Sequence, residues 1–371
     1  MLSIESPKAI SEEELEEQSE SDLEDSDEAL PFNYSITSYG ADYPTDGLVK
    51  RLNRGDIYVP DFQRGYVWKL KEASRFIESL LLGLPVPGIF LSKETETQKL
   101  LVIDGQQRLR TIQYFYNGTF KPTNKKFALD GISEQFNDKT YNSLSDEERR
   151  RLDDSIIPAT VIKQDLPSED QDSIYQIFER LNTGGVKLQA QEIRACIYHG
   201  DFNDLLKELN NHPEWRKICG SEDVDSRMKD QEYILRFLAL YCCTGTYSKP
   251  MKGFLNSFMG KNQDLKVYSA HDISSIFIST IELISSSIGN RAFRLKSDKI
   301  NAAILDAVMV GLASRLKNGS ITNKSDVLSS YDELLRNPKF LDASVNTART
   351  TETANVKSRL DEAIKAFANV V

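Results

Sequence analysis

One short stretch of the sequence, LLVIDGQQRLRTI, combines the groups that a phosphate-binding turn needs. An apolar run leads into Asp104 and Gly105, and two glutamines and two arginines follow at the start of a helix-like pattern. Arg108 and Arg110 therefore lie near a helix N-terminus, where the helix dipole disfavours cations. A bound anion would remove this penalty, because backbone N–H groups and a guanidinium both stabilise it.

In this interpretation each residue of the motif has a role. Gly105 allows close backbone approach and starts the helix, and Gln106, Gln107 and Arg108 occupy its first turn beside the anion. Asp104, at the carboxyl end of a strand, would carry a Mg²⁺ ion on the phosphate. The alternative is structural: Asp104 caps the helix and forms a salt bridge with Arg108. The spacing alone does not decide between the two.

Two other polar segments could complete such a site. In PDFQRGYVW, Gln63 and Arg64 could reach a phosphate or a base edge, while Tyr66 and Trp68 could stack on a base. Aromatic residues of this kind belong to a core more often than to a stacking platform. The segment ERLNTGG contributes Asn182, although an ordinary helix C-cap accounts for it equally well.

Several other chemistries have no support in the sequence. There is no P-loop, no dinucleotide-binding glycine motif after a strand and no G-x-S-x-G elbow. The three histidines, His199, His212 and His271, are not grouped as a His-Asn-His nuclease would require. Cys196 and His199 lie one turn apart, a spacing that is more often packing than zinc binding. Any chemistry must therefore use carboxylates, amides and arginines.

The elements that must position the motif follow from local patterns. These patterns predict, in chain order, a short helix, a strand at 57–59 and an amphipathic helix ending near Gly83 and Pro85. They then predict a hairpin formed by PGIFLS and KLLVID and a helix over 106–116. Residues 117–154 look irregular, IPATVIK is one more strand, and a helix with a capping box at Ser168 and Gln171 follows it. Beyond Leu188 helices dominate. The predicted fold class is α+β, a small mixed α/β domain followed by an α-helical domain.

Composition indicates a cytoplasmic protein with an acidic N-terminal tail. The 371 residues contain no signal-peptide pattern and no apolar run near the roughly 20 residues that span a bilayer. The adjacent Cys242 and Cys243 suggest buried thiols in a reducing compartment. Residues 1–30 hold twelve acids and one lysine, a net charge of −11, which leaves +1 for the rest of the chain. This tail is predicted to be disordered, either to aid solubility or to mask a local basic patch.

Deleting residues 1–30 should test the masking hypothesis. The truncated protein is expected to fold normally and, if the tail competes with nucleic acid, to bind DNA more tightly at low salt. The gain should fade as salt rises, as a titration of labelled duplex DNA at several salt concentrations would show. Equal low-salt affinity with and without the tail would contradict masking.

Taken together, PDFQRGYVW, LLVIDGQQRLRTI and IFERLNTGGVKLQAQEIR resemble the DGQQR family. This family includes the N-terminal domain of GmrSD-type modification-dependent restriction enzymes and related phage-defence proteins. The resemblance covers roughly residues 40–200 and implies a fold similar to ParB and sulfiredoxin, which binds nucleotides without a P-loop. It also implies NTP binding and hydrolysis coupled to recognition and cleavage of modified DNA. Sulfiredoxin activity is not expected, because this loop has no cysteine nucleophile.

The resemblance assigns roles to individual positions. Asp104, Gln107 and Arg108 are expected to be catalytic, with Asp104 as the Mg²⁺ ligand. The residues expected to bind the NTP are Gln63, Arg64, Gly105, Gln106, Arg110 and Asn182. The expected domains are a disordered tail (1–32), a nucleotide-binding domain (33–185) and a helical domain (186–371).

The sequence departs from the family pattern in one respect. In the family a His-Asn-His nuclease domain follows, and this chain is expected to lack one. Cleavage could then come from a separate nuclease or effector subunit, or from the DGQQR cleft itself. Alternatively, the protein is a non-catalytic sensor that binds a nucleotide or DNA and regulates a partner. DNA is the expected partner in each case, no membrane is expected, and self-association is left open.

Overall fold

The protein consists of two compact units. The computed structural model describes residues 35–59, 66–94, 97–166, 172–181, 188–295, 298–347 and 349–371. One unit lies within Asn33–Leu188 and the other within Gln189–Val371. The domain limits expected at 32 and 185 fall outside the described residues, and so does the acidic tail; they stay predictions.

The first unit contains a five-stranded mixed sheet. The described residues of this unit form the strands β1 (Ser35–Pro44), β2 (Ile57–Tyr58), β3 (Ile89–Lys93), β4 (Leu100–Asp104), β5 (Thr119–Phe120), β6 (Lys125–Lys126) and β7 (Ile156–Leu166). The main sheet has the order β1-β7-β3-β4-β2, and β5 and β6 form a separate pair. Strand β1 is antiparallel to β7 and β3 to β4, whereas β7 is parallel to β3 and β2 to β4.

In the same unit the structure describes the helices α1 (Thr45–Arg54), α2 (Leu70–Leu81), α3 (Gln106–Tyr116), α4 (Asp146–Asp153) and α5 (Asp172–Leu181). A 3₁₀ turn at Tyr141–Ser143 precedes α4. The predicted β3–β4 hairpin and the helices α1, α2, α3 and α5 are confirmed. Helix α2 buries Phe76, Ile77 and Leu80 at the predicted spacing. Leu84 continues the same helical spacing in the sequence but is exposed, because the helix has already ended at Leu81.

The sequence prediction did not include strands β1, β5 and β6 or helix α4. Helix α4 occupies a stretch that we expected to be irregular; its sequence DEERRRLD buries only Leu152 and therefore has no apolar period. Its signal was the capping box, in which Ser145 accepts from the Glu148 N–H and the Glu148 carboxylate accepts in return. Strand β1 is exposed along most of its length, so it shows no burial alternation. The capping box predicted at Ser168 lies outside the described residues.

The second unit is helical throughout its described residues. Its helices are α6 (Ala190–Ile197), α7 (Asp201–Asn210), α8 (Pro213–Cys219), α9 (Lys229–Cys242), α10 (Met251–Asn262), α11 (Ala270–Ser287), α12 (Ala302–Leu316), α13 (Lys324–Leu334), α14 (Pro338–Ser344) and α15 (Thr353–Phe367). On α15, Val356, Leu360 and Phe367 recur at the spacing of one helix face and are buried. A mixed α/β unit followed by helices confirms the α+β fold class. The likeness to ParB and sulfiredoxin stays an expectation.

A buried ion cluster links three helices of this unit. Asp306 of α12 accepts from Arg236 of α9 through both carboxylate oxygens, at 3.1 and 2.6 Å. The Arg359 guanidinium of α15 donates to the same carboxylate at 2.9 Å. All three side chains are almost completely buried. One carboxylate therefore balances two buried guanidinium groups in the core of the helical unit.

All four cysteines are free thiols, but Cys242 and Cys243 are less buried than predicted. Cys196 is buried, whereas Cys219, Cys242 and Cys243 are partly exposed. Burial nevertheless raises the pKa of Cys219 to about 12 and that of Cys242 to about 11. Both thiols are therefore protonated near neutral pH and are weak nucleophiles. None of the helices in the described ranges is long and apolar enough to cross a membrane.

Candidate nucleotide site at the turn between β4 and α3

A single glycine connects β4 to α3. β4 ends at Asp104, α3 begins at Gln106, and Gly105 between them has φ 99° and ψ 9°. A Cβ atom on Gly105 would lie 2.9 Å from Ile89 Cβ and would overlap Ile89 Cγ2. The left-handed backbone and the close approach of β3 both require glycine here. This connection thus places Asp104 and the first helical turn of α3 at the end of the sheet where β4 finishes.

Asp104 and Arg108 form an ion pair across this turn. Arg108 Nη2 lies 2.8 Å from Asp104 Oδ2 and also donates to the Gly88 carbonyl at 2.9 Å. The Asp104 side chain is 52% exposed, whereas that of Arg108 is 16% exposed. The salt bridge of the structural alternative is therefore present. The helix cap that the same alternative assigns to Asp104 is not formed, because Gly105 is the N-cap residue and no side chain caps α3.

The two arginines of the motif do not share one side of α3. Each helical residue adds about 100° of rotation, so Arg110 projects about 200° from Arg108. In the described part of the chain the buried Nε atoms of both side chains lack a hydrogen-bond partner. Buried donors are normally satisfied, so each is a place where a ligand or water would be favourable. Because the two side chains project to different sides of α3, this geometry does not favour one phosphate held by both arginines. The role of Arg110 in nucleotide binding stays a prediction.

Gln107 fixes a neighbouring segment to the first turn of α3. Its Oε1 accepts from the backbone N–H of Val67 at 3.0 Å and from that of Trp68 at 3.4 Å. The residues concerned lie 40 and 39 positions earlier in the chain. Sequence reasoning gave Gln107 a catalytic role and did not find this contact, since nothing in the local pattern signals it.

The aromatic residues of PDFQRGYVW pack within the unit. Tyr66 makes edge contacts with Tyr114 and Phe120, at centroid distances of 5.2 and 5.7 Å. Its hydroxyl lies 2.6 Å from Thr111 Oγ1, and burial raises its pKa to about 12. Trp68 makes an edge contact with Phe76 at 5.6 Å. These contacts favour the core interpretation over base stacking.

The remaining predicted residues are placed only in part. Gln63, Arg64 and Asn182 lie outside the described residues, so their roles stay predictions. Gln106 opens α3 and is partly buried. Gly88 and Thr111 are residues of the site that sequence reasoning missed. Gly88 takes part through its backbone carbonyl, for which no side-chain pattern gives a signal.

A metal ion at this turn would depend on Asp104. In the described residues no group of three or more histidines, cysteines, aspartates or glutamates could hold a metal on its own. Magnesium bound to a nucleotide usually takes one or two carboxylates together with phosphate oxygens and waters. The half-exposed Asp104 could be the single carboxylate ligand of such a nucleotide-bound ion. The described residues of this unit offer no site in which protein side chains alone would coordinate the metal.

Comparison with known proteins identifies the class of this unit. Residues 46–199 match the family model described as the N-terminal domain of the GmrSD restriction endonuclease. Residues 46–199 therefore contain a domain of the GmrSD N-terminal type, as the motifs predicted. An uncharacterized protein of Methanocaldococcus jannaschii is 31% identical in a region that covers 28% of this chain and 23% of that protein. The chain thus spans about a quarter of the length of this curated relative.

Proposed function

We propose that the turn between β4 and α3 binds the phosphate chain of a nucleoside triphosphate and that the protein hydrolyses it. The protein would act as a component of a restriction or phage-defence system that acts on DNA. One observation carries the proposal: the N-terminus of α3 has no side-chain cap, while Arg108 lies in its first turn. A helix terminus of this kind, next to a guanidinium, is a strong site for an anion.

Arg108 would bind the phosphate chain and stabilise the charge that develops during its cleavage. Its Nη2 is held between Asp104 and the Gly88 carbonyl, so the guanidinium is already oriented at the turn. Preoriented donors of this kind stabilise a transition state without further reorganisation. Gly105, which has no side chain, leaves the backbone of the turn open to close approach by a phosphate.

Asp104 would hold Mg²⁺ together with the phosphates. Bound there, the ion would neutralise phosphate charge and polarise the phosphoryl group. Asp104 accepts from Arg108 through Oδ2, and its side chain remains half-exposed. The same carboxylate would thus orient Arg108 and carry the metal.

DNA is the proposed partner because the matched family is named for a restriction endonuclease. In the described residues, His199, His212 and His271 belong to no group of three or more histidines, cysteines, aspartates or glutamates that could hold a metal. We therefore propose that DNA cleavage, where it occurs, depends on a separate nuclease or effector subunit or on the DGQQR turn, and not on a histidine–metal centre.

A second candidate function is nucleotide-dependent sensing without hydrolysis. The observation that favours it is the 2.8 Å ion pair, which already engages one oxygen of Asp104. A sensor of this type would bind the nucleotide through Arg108 and the helix terminus and would not turn it over. Turnover therefore separates the two candidates.

Arg108→Ala should weaken nucleotide binding by about 1.5–3 kcal/mol, the range of a charge-assisted hydrogen bond. Isothermal titration of ATP, GTP, CTP and UTP with Mg²⁺ would measure the effect. Arg54→Ala is the matched control, because Arg54 forms a 2.7 Å pair with Asp56 in the same unit but away from the turn. A lower melting temperature for Arg108→Ala with unchanged affinity would favour the purely structural interpretation.

A further inference from the structure

Two adjacent residues of the DGQQR motif hold the two ends of one segment, residues 66–88, which we call the α2 segment. At its start, Gln107 Oε1 accepts from the N–H groups of Val67 and Trp68. At its end, Arg108 Nη2 donates to the Gly88 carbonyl at 2.9 Å. The first turn of α3 is therefore the common anchor for both ends.

The contact of Gln107 has a fixed polarity. A backbone N–H can only donate, so the carboxamide oxygen and not its nitrogen must face Val67 and Trp68. A second contact supports the same junction: Tyr66 and Thr111 share a hydroxyl hydrogen bond at 2.6 Å, and Thr111 Oγ1 donates to the Gln107 carbonyl at 2.7 Å. The start of the segment is thus tied to α3 through a side chain and through a hydroxyl pair.

We propose that Gln107 is a positioning residue, which acts by anchoring the α2 segment rather than by touching the nucleotide. This inference rests on the proposed function of the turn. Helix α2 packs its apolar face into the core of the unit, so it connects the two anchored ends as one packed element. Loss of the Gln107 anchor shifts the segment and, through Gly88, the hydrogen bond that orients Arg108.

The test compares four variants of the full chain with the wild type by amide hydrogen exchange and by nucleotide titration. Gln107→Leu removes the acceptor, and Gln107→Glu keeps it. Gln113→Leu is the matched control, since Gln113 lies on the same helix and its amide donates to Asn53 at 2.9 Å. Tyr66→Phe loosens the same junction without altering Gln107. The rate of amide hydrogen exchange is measured on the proteolytic peptide that contains Val67 and Trp68.

Gln107→Leu should speed exchange in that peptide by about three- to tenfold, the range expected for one net hydrogen bond. Gln107→Glu should keep exchange within about twofold of the wild type, and Gln113→Leu should leave it unchanged. Nucleotide affinity should fall about threefold or more in Gln107→Leu and should fall in the same direction in Tyr66→Phe.

Unchanged exchange in Gln107→Leu would overturn the anchoring role. Faster exchange in Tyr66→Phe with unaltered nucleotide affinity would overturn the link between the segment and the site. If the wild type binds none of the four nucleotides, the proposed function fails and the link fails with it. The exchange comparison needs no nucleotide, so it still decides whether Gln107 anchors the segment.

Discussion

Asp306→Asn should destabilise the helical unit by about 3–5 kcal/mol, the cost of breaking a buried ion pair by removing one partner. The carboxylate of Asp306 is the common partner of Arg236 and Arg359, and all three side chains are buried. Burial lowers the pKa of Arg359, although the adjacent Asp306 carboxylate acts in the opposite direction. Without Asp306 two guanidinium groups would face each other uncompensated. Urea unfolding followed by circular dichroism would measure the change in the free energy of unfolding.

Asp332→Asn is the control for this prediction. Asp332 pairs with Arg291 at 2.7 Å in the same unit, but both side chains are accessible to solvent. A surface pair contributes about 0–1 kcal/mol, so this variant should unfold close to the wild type. Similar losses in the two variants would contradict the central place of Asp306 in the core.

Gly105→Ala should cost about 2–5 kcal/mol and should also impair nucleotide binding. A left-handed backbone costs a residue with a Cβ about 1–2 kcal/mol, and overpacking adds about 1–3 kcal/mol. Both apply here, because Gly105 has φ 99° and its added Cβ would collide with Ile89. The added methyl group would also shift the turn that presents Arg108. Thermal unfolding and a nucleotide titration would measure the two effects.

Gly55→Ala separates the two contributions. Gly55 ends α1 with φ 75°, and an added Cβ there would meet no atom within 4 Å. This variant should show only the backbone cost, about 1–2 kcal/mol. Equal destabilisation at the two glycines would show that the contact with Ile89 is relieved by repacking and does not constrain the turn.

The sequence predicts most of the elements that build the turn. Helix α2, the β3–β4 hairpin and helix α3 each follow from the periodicity of their own apolar residues. The position of Gly105 between a predicted strand and a predicted helix also indicated a tight connection there, because few other residues permit such a turn. Strand β1 and helix α4 were missed because each exposes most of its residues and so has little apolar pattern.

Contacts between distant parts of the chain could not be predicted in the same way. The hydrogen bonds of Gln107 to Val67 and Trp68 join residues about 40 positions apart, and no local pattern specifies them. Asp306 had a weak signal, as the only charged residue in the apolar run AAILDAVMVGLA of α12. An acid in a helix that is apolar on every side needs a buried partner. The sequence could not say which arginines provide it.

Phosphate release tests the central claim most directly. Wild-type protein and Asp104→Ala would be incubated with each of the four nucleoside triphosphates and Mg²⁺, with and without modified DNA, and binding would be measured in parallel. The account predicts turnover of at least one nucleotide by the wild type. In Asp104→Ala it predicts at least a tenfold lower rate, with binding reduced much less, because the carboxylate carries the metal. No turnover under any condition, or equal rates in the two proteins, would contradict hydrolysis at the turn between β4 and α3.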